Sequence, residues 1–296
     1  MAKPATVAPR RRKPSAKRRA RPYLIIAACV LVAAYLVHVL MLVPSGAAPG
    51  RKVNILLLGV DERKGDRGRA DTMIVASLDY LTSDLRVLSF PRDTRVLIPG
   101  RGYDKANAAY AYGGADLAME TVSGALGIPI HYYISTDFGG LVKVVDRLGG
   151  LTVTVDRPMK YDDPYQNLHI NIKAGTQVMD GKTILDYARY RSDPEGDIAR
   201  VRRQQALIVD ILKKAAQPGS WSVLPGLLQD FGDMVHSNVS GIRLPSLGIA
   251  LLRGARSAES KTLPGKASLT NGVWYWIAEP AQTKQMVRDF LGIDGR

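Results

Sequence analysis

The chain has 296 residues, of which 41 are Lys or Arg and 27 are Asp or Glu, so its formal net charge is +14. A chain of this length buries a sizeable core without disulfide or metal staples. Its single cysteine excludes a disulfide framework and a Cys-rich zinc site. Strong positive charge is typical of nucleic-acid-binding proteins. The position of the charge along the chain decides whether nucleic-acid binding remains a candidate function.

Most of the charge lies at the N-terminus. Residues 1–22 contain nine Lys or Arg and no acidic residue, and without them the net charge is +5. The segment is rich in Pro and Ala and has no apolar period, which predicts a basic, disordered tail over 1–22.

The next segment, residues 23–43, has 21 residues and no formal charge. As a helix it spans about 30 Å, the hydrocarbon thickness of a bilayer. A cleavable signal peptide has an apolar stretch of only about 7–15 residues, so we predict an uncleaved transmembrane signal anchor. The nine cations before this span predict a cytoplasmic N-terminus by the positive-inside rule. The protein is then expected to be a single-pass membrane protein with residues 44–296 outside the cytoplasm. The only cysteine, Cys29, falls inside this span.

Small residues at 44–52 indicate a linker, and the remainder, 53–296, is predicted to form one extracytoplasmic domain. Apolar runs predict strands at 53–60, 72–78, 85–90, 131–135, 151–155 and 274–277. Helices are predicted at 106–112, 114–126, 138–148, 180–189, 198–216, within 221–253, and at 281–290. Strands that alternate with helices predict a three-layer α/β/α fold with a central mixed sheet, preceded by one transmembrane helix.

Charged side chains stand at the ends of the first three predicted strands. Asp61 follows the first strand, Arg69 and Asp71 precede the second, and Arg92 and Asp93 follow the third. Ligands of open α/β sheets bind beyond strand ends. Arginine binds phosphate oxygens in a bidentate manner, and aspartate oxygens suit Mg²⁺. The pattern predicts a pyrophosphate site with its divalent ion, and these residues alone leave a surface ion-pair network open.

A second group of cations follows near residue 190. Arg200 and Gln204 are four residues apart, so they share one helix face close to a helix N-terminus, where anions are favoured. Arg189 and Arg191 point the same way only if that stretch is extended. The two arginines between Arg200 and Gln204 face elsewhere and are expected to be solvated. This density of cations favours the anion site over the surface network.

Six blocks in one order carry a family resemblance: NILLLGVDER (54–63), RADTMIVASLD (69–79), LSFPRDTRV (88–96), DKANAAYAYGG (104–114), DFGGLVKVVDRLGGLTVTVD (137–156) and GTQVMDGKTILDYARYRSDPEGDIARVRRQQALI (175–208). Together they resemble the LytR-CpsA-Psr family of cell-envelope glycopolymer transferases. The resemblance covers nearly all of 53–215, and residues 216–296 match less clearly. A single span before the domain is also the arrangement of that family. The second block has Ala70 where the family commonly has Ser.

The resemblance implies a polyprenyl-pyrophosphate glycan as the donor, with Mg²⁺ (Mn²⁺ as a substitute) held on the pyrophosphate by Asp61 and Asp71. It implies that seven side chains bind the pyrophosphate: Arg69, Arg92, Lys105, Arg189, Arg191, Arg200 and Gln204. Arg92 and Asp93 are the implied catalytic residues, Asp93 as an aid to proton removal. Apolar residues in 138–148, 178–185 and 207–212 are either ordinary core or the lining of a tunnel for the polyprenyl chain.

The implied reaction transfers the glycopolymer to a hydroxyl of peptidoglycan, forms a phosphodiester and releases polyprenyl phosphate. A hydrolase that uses water as the acceptor needs the same residues and stays open. A nucleic-acid-binding regulator is disfavoured, because the cations are split between the tail and the anion site and no helix-turn-helix, zinc-finger or RNA-binding motif is present. The expected partners are the lipid-linked donor, peptidoglycan and membrane lipid, and no nucleic acid.

Overall fold

The structure is a computed structural model that describes residues 52–60, 68–80, 82–164, 168–190, 192, 197–220, 222–229, 232, 235–241 and 243–293. The basic tail, the transmembrane segment and most of the linker predicted above lie outside these residues. Within the described ranges, no helix is both long and apolar enough to cross a membrane. From Lys52 onward the described residues belong to one compact unit.

Fourteen strands are present in the described part of the chain. They are β1 Lys52–Val60, β2 Ala70–Asp79, β3 Asp84–Ser89, β4 Arg95–Ile98, β5 Gly102–Lys105, β6 Tyr132–Thr136, β7 Leu151–Val155, β8 Met159–Asp163, β9 Leu168–Ile172, β10 Gly175–Met179, β11 His236–Ser237, β12 Glu259–Thr262, β13 Gly265–Thr270 and β14 Val273–Ala278. Six of them form the central sheet in the order β11-β6-β1-β2-β3-β12. The β1–β6 and β3–β12 pairs are parallel and the other three are antiparallel, so the sheet is mixed, as predicted.

The α-helices are α1 Ala106–Leu126, α2 Phe138–Arg147, α3 Gly181–Arg189, α4 Asp197–Ala215, α5 Leu224–Gln229, α6 Leu244–Gly254 and α7 Pro280–Met286, and α7 continues as a π-turn at Val287–Leu291. Two of them begin at a side-chain cap: Asp137 accepts a hydrogen bond from Gly140 N, and Asp180 accepts one from Thr183 N. The predicted break in α1 is confirmed, because Gly114 has φ +70° and ψ −159°.

Alternating apolar residues give the central sheet two buried faces. One face packs against α1 and the C-terminal turn, and its core includes Leu56, Met73, Val75, Leu88, Val122 and Phe290. The other face packs against α4 and α6, and its core includes Ile55, Ile74, Val87, Val209, Leu247 and Ala250. Helices therefore cover both faces, which confirms the α/β/α layering.

A third apolar cluster lies beside the sheet. It joins α2, α3 and α4 to the two-stranded pairs β7–β10 and β8–β9 through Val145, Val153, Ile170, Met179, Ile184 and Leu207. The helices α2 and α3 approach closely at Gly181, where an added Cβ would lie 2.3 Å from the carbonyl oxygen of Val142. This cluster fixes α2, α3 and α4 relative to one another at the edge of the site.

Candidate active site

The turn after β3 carries two of the predicted site residues, Arg92 and Asp93. Thr94 closes the turn, because its backbone N–H (2.9 Å) and its Oγ1 (2.6 Å) both donate to the carbonyl of Pro91. The backbone N–H of Trp276 donates to the carbonyl of Asp93 at 2.9 Å and ties the turn to β14. The backbone that presents both charged side chains is therefore held from two directions.

Four charged side chains form a continuous chain of ion pairs, which we call the loop cluster: Asp71, Arg92, Asp93 and Lys105. Nη1 of Arg92 donates to Oδ1 of Asp71 at 2.6 Å, and Nε of Arg92 lies 3.5 Å from Oδ2 of Asp93. Nζ of Lys105 lies 2.8 Å from Oδ1 of Asp93. Between 22% and 33% of each side chain is exposed, so water screens these pairs and an anionic ligand can replace individual contacts.

The N-terminal half of α4 supplies the opposite side of the site. Oε1 of Gln204 accepts a hydrogen bond from Thr72 Oγ1 at 2.9 Å, and its Nε2 lies 3.5 Å from the carbonyl oxygen of Ala188. Arg200, one turn earlier, is 3% exposed. The guanidinium of Arg189 lies 5.1 Å above the Phe138 ring. Residues from β2, α2, α3 and α4 thus converge here.

A cavity of about 470 Å³ extends between these helices and the sheet. Its lining is mainly apolar and includes Ala76, Leu141, Val144, Leu185, Ile208 and Leu212. Along α4, the residues that line the cavity change from polar to apolar. Arg200 and Gln204 lie nearer the N-terminus of the helix, and they are followed by Leu207, Ile208, Ile211 and Leu212. From Arg200 to Leu212 the axial rise is about 18 Å, so the charged and apolar ends of the cavity are well separated.

A smaller cleft of about 40 Å³ connects the loop cluster with α4. Asp71, Arg92, Asp93, Arg200 and Gln204 all line it. The carboxylates, the two arginines and the amide therefore face one space, although they are up to 133 positions apart in the sequence. The arrangement suits a ligand with an anionic group attached to an apolar chain.

The remaining predicted site residues divide into three outcomes. Lys105 joins the site through its pair with Asp93 rather than by lining either cavity described above. Arg69 is exposed directly before β2 and lines neither cavity. The hydrogen bond to Asp104 raises the pKa of Tyr112, and the charges of Arg101 and Arg69 oppose this effect. Two further predicted residues lie outside the described ranges: Asp61 and Arg191.

One prediction for α4 is wrong. Arg202 is exposed, but Arg203 is 8% exposed rather than solvated. Nη2 of Arg203 donates to the carbonyl of Tyr190, and its guanidinium lies 5.6 Å from the Tyr187 ring centroid and 5.5 Å from that of Tyr190. The end of α3 packs on α4, so a second face of α4 is covered. The sequence feature that could have predicted this burial is the pair of tyrosines at the end of α3, Tyr187 and Tyr190.

One other site residue was missed from the sequence. Thr72, which holds Gln204, reads as an ordinary strand residue, because its partner lies 132 positions away. Phe138 belongs to the range 138–148 named above as core or tunnel lining, and it lines the cavity. Its stacking beneath Arg189 has no local sequence pattern.

Whether the site suits a divalent ion depends on its oxygen donors. Within the described residues no group of three or more His, Cys, Asp or Glu side chains surrounds a common point. Asp71 is the described member of the predicted aspartate pair, and its carboxylate lines both cavities. A carboxylate oxygen beside a phosphate-sized space fits Mg²⁺, which uses one or two carboxylates together with substrate phosphates.

Comparison with known proteins identifies the class to which this fold and site belong. The LytR_cpsA_psr family model matches residues 42–290, so the chain belongs to the LytR-CpsA-Psr family. Regulatory protein MsrR of Staphylococcus aureus (strain COL) is 33% identical over 252 residues, which cover 82% of this chain and 75% of MsrR.

Two further relatives carry more specific descriptions. The polyisoprenyl-teichoic acid–peptidoglycan teichoic acid transferase TagU of Oceanobacillus iheyensis is 35% identical over 248 residues, which cover 81% of this chain and 75% of TagU. A structure of TagT bound to LIIa-WTA superimposes with a TM-score of 0.66 at 29% identity, covering 82% of this chain and 92% of that one. The mixed sheet with helices on both faces is thus the fold of this family.

Proposed function

We propose that this protein transfers a glycopolymer from a polyprenyl-pyrophosphate carrier to a hydroxyl of peptidoglycan, in the assembly of the cell wall. The observation that carries the proposal is the cavity along α4, apolar at one end and lined by Asp71, Arg200 and Gln204 at the other. An apolar polyprenyl chain matches the first part and a pyrophosphate the second. The name of TagU and the complex of TagT with LIIa-WTA support this substrate class.

The cations around the cleft have separate tasks in this proposal. Arg92 contacts the pyrophosphate from the loop side and Arg200 from α4, while Arg189, stacked on Phe138, contacts it from α3. Arginine suits this role because its planar guanidinium donates two parallel hydrogen bonds to phosphate oxygens. Gln204 adds a neutral donor. Arg69 and Arg191 stay in the proposal as further ligands of the same anion.

Asp93 receives a more specific role than proton acceptor. Lys105 approaches one of its oxygens and Arg92 the other, so the carboxylate holds both cations in place beside the cleft. It accepts the proton of the acceptor hydroxyl only after one of these contacts opens. We therefore assign Asp93 first to positioning Arg92 and Lys105.

Asp71, together with Asp61, would hold the divalent ion, which supplies positive charge against the pyrophosphate oxygens when it is bound. Mg²⁺ is the expected ion and Mn²⁺ an expected substitute. Chelation with EDTA should stop transfer by the full-length protein, and added Mg²⁺ should restore it. Turnover that is unchanged in EDTA would argue against the metal role of Asp71.

The proposed chemistry is phosphoryl transfer. The acceptor oxygen forms a bond to the glycan-linked phosphorus, and the bond from that phosphorus to the bridging oxygen breaks. The polyprenyl phosphate leaves with the bridging oxygen, and the acceptor's proton passes to Asp93 or to solvent. Negative charge grows on the leaving phosphate, and Arg92, Lys105 and Arg200 stabilise it, because positioning and electrostatics dominate such reactions.

The location proposed for the protein is the cell membrane, with a cytoplasmic N-terminus and the catalytic domain outside the cytoplasm. A single anchor holds the site close to a lipid-linked donor, which fits the proposed reaction. Labelling of a C-terminal tag on intact cells tests this orientation. A C-terminus that is accessible only after lysis would contradict both the orientation and the transfer reaction, and would reopen the regulator hypothesis.

The activity is tested by incubating the full-length protein in detergent with a polyprenyl-pyrophosphate oligosaccharide, Mg²⁺ and soluble peptidoglycan oligomers. Mass spectrometry then separates the conjugate from hydrolysed glycan phosphate. We expect the conjugate as the main product. Hydrolysed glycan alone, in the presence of saturating acceptor, would replace the transferase proposal with the hydrolase that uses water at the same site.

A further inference from the structure

The β4–β5 hairpin has one buried and one exposed face. Val96 and Ile98 are 5% and 0% exposed and point into the core. The register pairs Arg95 with Lys105 and Leu97 with Tyr103, which places these four side chains on the opposite face. Leu97 and Tyr103 are 59% and 62% exposed. A directly paired leucine and tyrosine are therefore open to solvent on the hairpin whose second strand ends at Lys105.

This exposed surface continues onto the neighbouring hairpin. Thr94 forms a parallel bridge with Trp276, so β14 extends the β4–β5 pair beside the loop cluster. On β14, the ring centroid of Tyr275 lies 5.9 Å from Nζ of Lys105. We call the surface formed by Arg95, Leu97, Tyr103 and Tyr275 the hairpin face.

The hairpin face combines aromatic rings with cations. The guanidinium of Arg95 lies 4.3 Å from the Tyr103 ring centroid and covers part of that ring. The rest of the ring is accessible, given the exposure of Tyr103. Tyr103 and Lys105 are two residues apart, about 7 Å along the strand. A ligand that lies on Tyr103 therefore reaches the loop cluster within one or two sugar units.

We propose that the hairpin face binds the glycan strand of the peptidoglycan acceptor, an inference that rests on the proposed function. Pyranose rings have apolar C–H faces and polar rims, which match the apolar ring and polar hydroxyl of tyrosine. Peptidoglycan also carries carboxylates, which Arg95 pairs with in the bidentate geometry of its guanidinium. The donor occupies the α4 cavity, so the acceptor approaches the pyrophosphate from the loop-cluster side.

We choose the peptidoglycan acceptor as the occupant because the hairpin face is continuous with Lys105, a cation of the proposed reaction site. Exposed apolar residues that occur singly are ordinary on protein surfaces. Here Leu97 is paired across the hairpin with Tyr103, and Tyr103 lies two residues from Lys105 on the same strand and face. A second exposed pair, Leu269 and Trp274, lies on the β13–β14 hairpin, where Trp274 alternates with Tyr275 and so points to the other side. That pair provides a matched control.

The test compares Tyr103→Ala with Trp274→Ala in the full-length protein in detergent. Both residues are aromatic and 62% exposed, so both variants lose a similar exposed surface. We expect Tyr103→Ala to raise the KM for soluble peptidoglycan oligomers about tenfold, as truncation of an aromatic contact residue does, without changing the KM for the donor. Trp274→Ala should change neither value. Tyr103→Phe, which keeps the ring, should restore the acceptor KM.

Calorimetric binding of the same oligomers without donor separates the two proposals. Wild-type protein that binds oligomers but forms no conjugate would overturn the proposed function and leave the binding surface supported. Wild-type protein that forms conjugate, with an unchanged acceptor KM in Tyr103→Ala and in Leu97→Ser, would overturn the hairpin face and leave the transferase supported. An equal rise of the acceptor KM in Tyr103→Ala and Trp274→Ala would also overturn it.

Discussion

In the loop cluster, four charged side chains contact one another at 2.6 to 3.5 Å while remaining partly accessible to water. In the α4 cavity, the contacts are apolar and come from the sheet and from helices far apart in sequence. The two regions meet at Asp71, Arg200 and Gln204. A ligand can replace partly solvated ion pairs one by one, whereas an apolar surface gains free energy only when it is covered.

This difference separates two contributions to the proposed reaction. The loop cluster offers charge that acts where the phosphate charge changes, so its loss should reduce turnover. The apolar cavity contacts the donor equally before and during the reaction, so its loss should weaken donor binding. Variants of the two regions should therefore differ in whether kcat or the donor KM changes.

The largest effect is expected for Arg92→Ala. The change removes the guanidinium that joins Asp71 to Asp93, and we expect kcat for transfer to fall about 100- to 1,000-fold, the usual cost of one charge-stabilising donor. Arg86→Ala is the matched control, because Arg86 also contacts two carboxylates, those of Asp84 and Glu259, and is similarly exposed at 23%. Steady-state kinetics of both variants should show a loss in Arg92→Ala alone.

Ala76→Leu should affect donor affinity rather than turnover. Ala76 is buried on β2 and lines the cavity, so the added side chain occupies space where the donor would lie. We expect the donor KM to rise about tenfold or more while kcat at saturating donor changes little. Kinetics at varied donor concentration measure both. A fall in kcat at unchanged KM would contradict the division between the two regions.

The same variant has a structural control in Ala118→Leu. Ala118 is 0% exposed in the core between α1 and the sheet, away from the cavity. Overpacking should lower the free energy of unfolding of Ala118→Leu by about 1–3 kcal/mol. Ala76→Leu should unfold close to the wild-type denaturant midpoint, because the cavity accommodates the added atoms. An equal decrease in the free energy of unfolding of the two variants would show that Ala76 faces a closed core.

Gly181→Ala tests how the cavity is held open. The new Cβ would lie 2.3 Å from the carbonyl oxygen of Val142, so α2 and α3 must separate. We expect the free energy of unfolding to fall by about 1–3 kcal/mol, with a weaker donor affinity, since both helices line the cavity. Gly248→Ala in α6 meets nothing within 4 Å and should be neutral or stabilising by up to about 1 kcal/mol. Denaturant unfolding measures both.

The smallest effect concerns pH and lies outside both regions. Burial lowers the pKa of His131. The unfolded chain therefore takes up a proton near pH 6.5 more readily than the folded one, so the free energy of unfolding should decrease as the pH falls below about 6.5. Urea titrations from pH 7.5 to 5 should show this slope in wild type and in His169→Gln. A slope that persists in His131→Gln would assign it to other groups.

The long apolar runs of the sheet were predictable, because buried strands need no partner pattern to be recognised. The predicted strands 53–60 and 85–90 correspond to Lys52–Val60 and Asp84–Ser89. The hairpins β4–β5 and β13–β14 were not found, except for the core of β14. Their strands are short and mixed in polarity, and the bridge from Thr94 to Trp276 joins residues 182 positions apart.

The site was predictable as a set of charges but not as a network. Arg92 and Asp71 were expected near one another at strand ends, and their direct contact confirms that proximity. The burial of Arg203 was not expected, because it depends on how α3 packs on α4. The sequence left the apolar residues 207–212 as either ordinary core or tunnel lining, and the fold shows Ile208 and Leu212 lining the cavity.

The central claim is that the α4 cavity holds the polyprenyl chain while the loop cluster faces the pyrophosphate. It is tested most directly by photo-crosslinking the full-length protein with a polyprenyl pyrophosphate that carries a diazirine on its apolar chain, followed by peptide mapping. We predict crosslinks to α2 and α4, at residues such as Leu141 and Ile208, reduced in Ala76→Leu. Crosslinks confined to α1 and the opposite face of the sheet would contradict the account.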